Sequence, residues 1–274
     1  MVNKIAFIGA GSMAEAIIAG IIKQNVIGSE QITVTNKNNH DRLNHLQSKY
    51  HVTCLEDKEA VISDADIVLL SMKPNDVKDA VQSIKHYIMP QQLIISVVAG
   101  VSTEMISNLI QKNVPVIRAM PNTSALIGSS ATALTRGEFA TNAHLKNAEK
   151  LFNTIGITTI IGEEDMHIVT GISGSGPAYV YYLVEAMEQA AIESGCEPAV
   201  AKALITQTII GAGDMLKHSG QSAEDLRENI TSPQGTTEAG LKTLASYKFQ
   251  TAVKACVKSA RDRSIELGEM LHSE

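Results

Sequence analysis

The strongest constraint on the fold is a regular alternation of short apolar runs with longer amphipathic patterns between residues 4 and 161. Runs that are apolar throughout, such as residues 67–70, are typical of strands covered on both faces. The predicted strands are residues 4–9, 32–35, 52–55, 67–70, 93–97 and 116–118. The predicted helices between them are residues 13–25, 41–50, 76–87 and 103–111. This alternation predicts an α/β fold, a Rossmann-type doubly wound parallel sheet.

The pattern changes after Gly162, where strand signals end. Before that point, predicted strands at 130–135 and 158–161 flank a helix near 142–155 and extend the sheet. Beyond it, residues 175–195, 198–219, 224–230 and 248–271 have helical patterns. A chain of 274 residues suits two domains at roughly 150 residues each. We therefore predict a sheet domain over residues 1–162 and an all-helical domain over residues 163–274.

The helical half carries broad apolar stripes in steps of four and three residues, for example Val180, Val184, Met187 and Ala191. Stripes this wide on a segment of about 110 residues favour a surface shared with a second copy of the chain. Core packing within one chain is the alternative and needs no partner. We predict a dimerisation domain.

Composition excludes several classes of protein. A formal net charge of −6 argues against a general nucleic-acid-binding surface, which is positively charged. Three widely spaced cysteines with no CxxC indicate neither a disulfide framework nor a zinc site, and we expect buried thiols in a reducing cytoplasm. The charge-free stretches 119–135 and 168–184 contain Pro, Gly, Ser and Thr and are poor membrane spans. We expect a soluble cytoplasmic protein without a metal.

The first predicted strand runs directly into Gly-Ala-Gly-Ser-Met-Ala at residues 9–14, which opens a helix. Gly9 would permit a tight turn, and Gly11 would let the backbone approach a pyrophosphate. Ser12 and Met13 belong to a helix amino terminus that supplies N–H donors, and Ala14 lets this helix pack close to the strand. The context favours a dinucleotide site, although a glycine turn that binds nothing is the alternative.

The end of the second strand bears on the choice of cofactor. A site for NAD(H) has Asp or Glu there to accept from the ribose hydroxyls, whereas this chain has Asn36 and Lys37. A neutral amide followed by a lysine can host a 2′-phosphate. We therefore favour NADPH over NADH, with NAD(H) possible; the alternative is that Lys37 is only a solvated turn residue.

Other predicted strands end in residues suited to the same edge, because ligands bind at the carboxyl ends of parallel strands. Met72, Lys73 and Pro74 follow the fourth strand, Ala99 the fifth and Asn122 the sixth. We expect Lys73 near the cofactor ribose or phosphate and Asn122 within reach of the nicotinamide amide or the substrate. Taken alone, each of these residues is more often a turn residue than a ligand.

The helical half has no GxSxG, HExxH or paired-carboxylate signature, and we assign none of the eight histidines a role. Two segments of small residues stand at predicted helix starts, 171–178 and 231–237. Free backbone N–H groups and hydroxyls there can hold a carboxylate. Helix capping and close helix packing are the alternative.

Taken in order, five motifs resemble the pyrroline-5-carboxylate reductase family over essentially the whole chain. They are Gly-Ala-Gly-Ser-Met-Ala at 9–14, Met-Lys-Pro at 72–74, Arg-Ala-Met-Pro-Asn-Thr at 118–123, Gly-Ser-Gly-Pro-Ala-Tyr at 174–179, and Ile-Thr-Ser-Pro-Gln-Gly-Thr-Thr at 230–237 before Ala-Gly-Leu at 239–241. Members usually have two glycines after Ser-Pro, and here the first is Gln234.

The resemblance implies reduction of L-1-pyrroline-5-carboxylate to L-proline by NAD(P)H, in a homo-oligomer built from dimers whose helical domains interlock. It also implies that Ser232, Gly235, Thr236 and Thr237 hold the substrate, with Thr237 orienting the ring nitrogen as the candidate catalytic residue. A protonated cyclic imine is already electrophilic, so a hydroxyl and ordered water suffice where a carbonyl would need an acid.

Two rival functions remain at this point. The first rival is a β-hydroxyacid dehydrogenase. Those enzymes share a lysine about four residues after a glycine-rich helix start, whereas here Val180 stands four residues after Gly176, which argues against this rival. No lysine lies between Glu164 and Lys202. A nonenzymatic nucleotide sensor would be expected to have lost the loop at 232–237, which is present.

Overall fold

The structure, a computed structural model, describes residues 2–273. It divides into two compact units: the first unit is Met1–Ser175 with Lys258–Glu274, and the second unit is Gly176–Val257.

The first unit contains an eight-stranded sheet in the order β3-β2-β1-β4-β5-β6-β7-β8. The strands are β1 Ile5–Ile8, β2 Ile32–Thr35, β3 Thr53–Cys54, β4 Ile67–Leu70, β5 Leu93–Ser96, β6 Val116–Met120, β7 Ser130–Arg136 and β8 Gly156–Ile160. All eight predicted strands are confirmed, with ends moved by one or two residues. Since β2 and β4 both pair with β1 in parallel, their carboxyl ends meet at one edge.

The sheet is mostly parallel, which confirms the predicted fold class, and it contains one antiparallel pair that the prediction did not include. β6 and β7 pair antiparallel, with Met120 opposite Ala133, and β7 and β8 pair in parallel. The connection from β6 to β7 holds only a short 3₁₀ helix, Thr123–Ile127. A parallel crossover takes roughly a dozen residues or more, so this connection returns the chain antiparallel.

The helices that lie wholly within the first unit, among the described residues, are α1 Ser12–Lys23, α2 His40–Tyr50, α3 Lys58–Ile62, α4 Val77–Ile84, α5 Thr103–Ile110, α6 Asn142–Phe152 and α7 Met166–Val169. The sequence pattern missed α3, which has only five residues. A π-helical stretch follows α7 at Thr170–Gly174.

Two apolar clusters form the core of the first unit. Ile5 and Phe7 of β1 belong to one, together with residues of α1, α2 and α6. Ala6 and Ile8 belong to the other, with residues of α3, α4 and α5. Because successive side chains of a strand point to opposite faces, β1 is covered on both sides, as the uninterrupted apolar runs predict.

The second unit is helical, with α8 Gly176–Glu193, α9 Pro198–His218, α10 Ala223–Asn229, α11 Thr236–Ser246 and the first part of α12 Phe249–Ser273. The sequence predicted only the start of α11. Among the described residues 176–257, the buried ones are Ala201 and Ile205. Large apolar side chains are exposed, including Tyr182 at 77% and Leu204 at 63%. This unit therefore has almost no core of its own.

The two compact units divide at Ser175. Residues 163–175 are tied to the sheet, where Arg118 Nη1 lies 2.6 Å from Glu163 Oε1 and Thr103 Oγ1 donates to Glu163 Oε2. The predicted functional domains, residues 1–162 and 163–274, stay a prediction, because the division into compact units follows contacts and not function.

Among residues 2–273 we find no helix with the length and hydrophobicity needed to cross a bilayer. No three His, Cys, Asp or Glu side chains converge as a metal site in that range. Cys54 and Cys196 are partly buried free thiols. Cys256 is exposed, so the expectation of buried thiols is wrong there.

Candidate active site

Gly9 occupies a turn that admits no side chain. Its φ is +113°, and its N–H donates to the Thr35 carbonyl at 2.8 Å. A Cβ here would lie 2.5 Å from the carbonyl oxygen of Ser71. The predicted role of Gly9 in a tight turn therefore agrees with the backbone geometry.

Gly11 is a glycine for a different reason. A Cβ on it would find one neighbour within 4 Å, the Ser71 oxygen at 3.9 Å, so packing within the chain does not demand glycine. Gly11 is the N-cap of α1, and no side chain caps this helix. The first N–H groups of a helix have no intrahelical acceptor, and the open space above them fits the approach of a pyrophosphate. Ser12 and Met13 begin the helix, and Ala14 is fully buried beneath it.

Arg42, in the first turns of α2, braces the same loop and was missed by sequence reasoning. Its Nε donates to the Ala10 carbonyl at 2.6 Å and its Nη2 to the Gly11 carbonyl at 3.3 Å. In a trans peptide the C=O and the following N–H point in opposite directions. By holding these carbonyls, Arg42 turns the N–H groups of Gly11 and Ser12 away from α2. The available signal was a basic residue soon after the second strand.

Glu15 completes this brace. It accepts hydrogen bonds from Arg42 at 2.5 Å, Lys49 at 3.0 Å and the Tyr50 hydroxyl at 2.9 Å. Burial raises the pKa of Glu15, but the hydrogen bonds from Lys49, Arg42 and Tyr50 outweigh it and lower the pKa to about 2. The carboxylate is therefore ionised and compensated, which limits its repulsion of an anion at the helix start.

A cleft opens at the carboxyl ends of β1, β2 and β4. It brings together four predicted residues, Gly9, Asn36, Lys37 and Met72. Its other lining residues are Ile8, Thr35, Lys58, Asp76, Asp79, Ala80 and Ser83. The Thr35 hydroxyl is buried and has no hydrogen-bond partner among the described residues.

Asn36 and Lys37 reach the cleft differently. The Asn36 side chain is bound within its own turn, donating to the Asn39 carbonyl at 2.8 Å and accepting from the Asn39 N–H at 2.9 Å. Lys37 extends outward, and its Nζ lies 3.3 Å from Asp76 Oδ1. Asn36 thus shapes the loop, whereas Lys37 presents a charge.

The remaining predicted cofactor residues follow β4, β5 and β6 but do not line this cleft as far as the described residues show. Lys73 is exposed and precedes a 3₁₀ helix that Pro74 begins. Ala99 is half-buried after β5. Asn122 is 9% exposed; its amide donates to the Ser173 carbonyl and its oxygen accepts from the Ser124 N–H.

In the second unit, the predicted substrate residues form a turn and a helix start. The Gly235 N–H donates to the Ser232 carbonyl at 3.0 Å, with Pro233 second and Gln234 third in the turn. Gln234 has φ +60°. A type II turn has proline second and a positive φ third, where glycine is usual. The departure at Gln234 therefore keeps the turn but places a side chain in the left-handed region.

The turn delivers the chain into α11, whose N-cap is Gly235 with no side-chain cap. The N–H groups of Thr236 and Thr237 thus face an open helix end. Within the part of the chain that the structure describes, the hydroxyls of Ser232, Thr236 and Thr237 form no hydrogen bond. This loop offers backbone and hydroxyl donors to a small anion.

The fold, the glycine turn and the cleft together define a dinucleotide-dependent oxidoreductase. Residues 4–100 match the family described as NADP oxidoreductase, coenzyme F420-dependent. Residues 163–267 match the family described as pyrroline-5-carboxylate reductase dimerisation.

Similar proteins cover nearly the whole chain. Pyrroline-5-carboxylate reductase 1 of Bacillus subtilis (strain 168) is 44% identical over 267 residues, which are 97% of this chain and 90% of that protein. A pyrroline-5-carboxylate reductase structure from Coxiella burnetii superposes with a TM-score of 0.90 at 32% identity, covering 97% and 99% of the two chains. The pyrroline carboxylate reductase of Plasmodium falciparum, solved with NADP bound, gives 0.88 at 29% identity, covering 97% and 98%. The chain belongs to the pyrroline-5-carboxylate reductase family, which confirms the resemblance.

Replacing Arg42 by methionine should weaken binding of NADPH and NADH alike by roughly tenfold or more, because two hydrogen bonds from a charged donor are lost. Dissociation constants from nucleotide fluorescence would measure this. Lys49→Met is the matched control, since Lys49 binds Glu15 but not the loop. Equal weakening in both variants would contradict the bracing role of Arg42.

Replacing Gln234 by glycine should raise the free energy of unfolding by about 0.5–1 kcal/mol, because relief of the left-handed conformation exceeds the added freedom of the unfolded chain. Denaturant unfolding at fixed protein concentration measures this.

Gly235→Ala is the control for that experiment. Its Cβ would lie 3.0 Å from the Ser232 oxygen, so this change should destabilise the protein. A loss of stability in Gln234→Gly would show that the side chain, and not the backbone, stabilises the turn.

Proposed function

We propose that this chain reduces L-1-pyrroline-5-carboxylate to L-proline with a hydride from NAD(P)H, the last step of proline biosynthesis. The observation that carries the proposal is the 44% identity to a pyrroline-5-carboxylate reductase over 97% of the chain. In the reaction, the carbon of the C=N bond accepts the hydride, and the protonated nitrogen becomes the ring amine.

The cofactor is held by the first unit. The N–H groups at Gly11, Ser12 and Met13 bind the pyrophosphate, with Gly9 and Ala14 shaping the turn and the helix contact. Asn36 and Lys37 lie at the adenosine ribose, where Lys37 attracts a 2′-phosphate. The other proposed cofactor residues are Met72, Lys73, Pro74, Ala99 and Asn122. The nicotinamide, when bound, supplies the hydride.

The substrate carboxylate is bound by the turn at Ser232–Gly235 and the open start of α11. Ser232 and Thr236 donate through their hydroxyls, and Gly235 contributes backbone that a side chain would crowd. Thr237, partly buried in the first turn of α11, orients the ring nitrogen. Because the imine is reduced in its protonated form, the site needs a hydroxyl and water rather than a strong acid.

The dimerisation family match supports a homo-oligomer. We propose that it is built from dimers through the helical domain, residues 163–274, with residues 1–162 as the dinucleotide-binding domain. The sparse core of the second unit supports this, since its exposed apolar side chains need cover. We also propose a cytoplasmic protein without nucleic-acid or membrane partners, in line with the net charge of −6 and the free thiols.

Steady-state assays with pyrroline-5-carboxylate and either NADPH or NADH test the proposal. Loss of nicotinamide absorbance together with formation of L-proline is expected. Cofactor binding without oxidation would favour the nucleotide sensor. Reduction of NAD(P)⁺ by a β-hydroxyacid, with no reduction of the imine by NAD(P)H, would favour the dehydrogenase.

Thr237→Ala should lower kcat/KM by roughly 1–3 kcal/mol in transition-state free energy, the scale of one lost positioning hydrogen bond. Ser232→Ala should chiefly raise KM for the imine. Thr243→Ala is the control, because that hydroxyl donates to the Ala239 carbonyl of its own helix. Wild-type kinetics in Thr237→Ala would remove Thr237 from the mechanism.

Light scattering should give the wild-type protein a mass of at least two chains. The change Leu204→Glu on α9 should lower that mass and the melting temperature, because it places a charge on an apolar interface. Lys202→Glu is the control, since residues two apart on a helix point roughly 200° apart. An unchanged mass in Leu204→Glu would exclude this part of α9 from the interface.

A further inference from the structure

The cofactor cleft contains as many acidic as basic side chains. Lys37 and Lys58 line it, and so do Asp76 and Asp79. Their formal charges cancel, whereas a 2′-phosphate carries a charge of about −1.5 to −2 near neutral pH. A cleft built only to attract this phosphate would carry a surplus of positive charge.

Both lysines are engaged within the chain. Lys58 Nζ donates to the Ser83 hydroxyl at 2.9 Å. Lys37 Nζ lies 3.3 Å from Asp76 Oδ1, with both side chains substantially exposed at 71% and 42%. An exposed pair of this kind is weak enough to exchange partners.

The Lys37–Asp76 pair spans the cleft. Lys37 follows β2, and Asp76 ends the 3₁₀ helix Pro74–Asp76 that follows β4. These two strands lie on opposite sides of β1 in the sheet, so the pair links the two sides of the cleft above the Gly9 turn. A 2′-phosphate that binds Lys37 must displace a carboxylate and then remain beside it.

We propose that Asp76 is a specificity-determining residue that lowers the preference of this protein for the phosphorylated cofactor by holding Lys37. The inference rests on the proposed function, because it concerns the adenosine end of the same cofactor site. A nucleotide without the 2′-phosphate does not compete for Lys37, so Asp76 leaves its affinity nearly unchanged. The pair thereby keeps NADH usable by a chain whose second strand ends without an acidic residue.

The test compares binding of two adenosine fragments, 2′,5′-ADP and 5′-AMP, by isothermal titration calorimetry. The ratio of their dissociation constants isolates the 2′-phosphate. Asp76→Asn should tighten 2′,5′-ADP by about fivefold and change 5′-AMP less than about twofold. Asp79→Asn removes the same charge from the same cleft without a lysine partner among the described residues, and it should shift the ratio less than about twofold.

A second background tests the route through Lys37. In a Lys37→Met protein, the gain from Asp76→Asn should fall to about twofold or less, because the tethered lysine is gone. An equal gain in both backgrounds, or equal shifts from Asp76→Asn and Asp79→Asn, would overturn the inference.

Failure of the inference and failure of the proposed function give different results. A wild-type protein that binds neither fragment and reduces no imine would contradict the function itself. A protein that binds both fragments and forms proline, but keeps its binding ratio in Asp76→Asn, would contradict only the role of Asp76.

Discussion

The cofactor half of the molecule depends on one backbone position, the left-handed turn at Gly9. Its N–H binds the carbonyl at the end of β2, and its own carbonyl accepts from the Ser71 hydroxyl after β4. A side chain at Gly9 would collide with the Ser71 backbone. One residue therefore joins three strand ends and sets the direction in which α1 begins, and the anion site at that helix start follows from it.

The fold could be predicted from the sequence wherever burial requires a clear pattern of apolar residues. Strands such as β4, covered on both faces, are uninterrupted apolar runs, and all eight strands were found. The antiparallel direction of β7 was not predicted. The direction of a strand depends on how far its connection can reach, and it leaves no periodic pattern in the sequence. α3 and α11 were missed or seen only at their start; α3 is short, and α11 has almost no buried face to create a stripe.

The candidate site was likewise predicted only in part. Gly9, Asn36, Lys37 and Met72 follow strands, and the topology gathers them in one cleft. Arg42 lies on α2 and Asp76 ends a 3₁₀ helix, and only the folded chain shows what these two residues contact. At Gln234 the sequence showed a departure from the family pattern, and the structure supplies its consequence, an unchanged turn with a side chain at positive φ.

In the proposed reaction, a hydride passes from the nicotinamide to an imine carbon. Incubation with pyrroline-5-carboxylate and NADPH that carries deuterium at both C4 positions, followed by mass spectrometry of the product, measures this transfer. We expect L-proline with one deuterium, located on the ring carbon that the C=N bond contained. Oxidation of the cofactor that leaves proline unlabelled, or yields no proline, would contradict it.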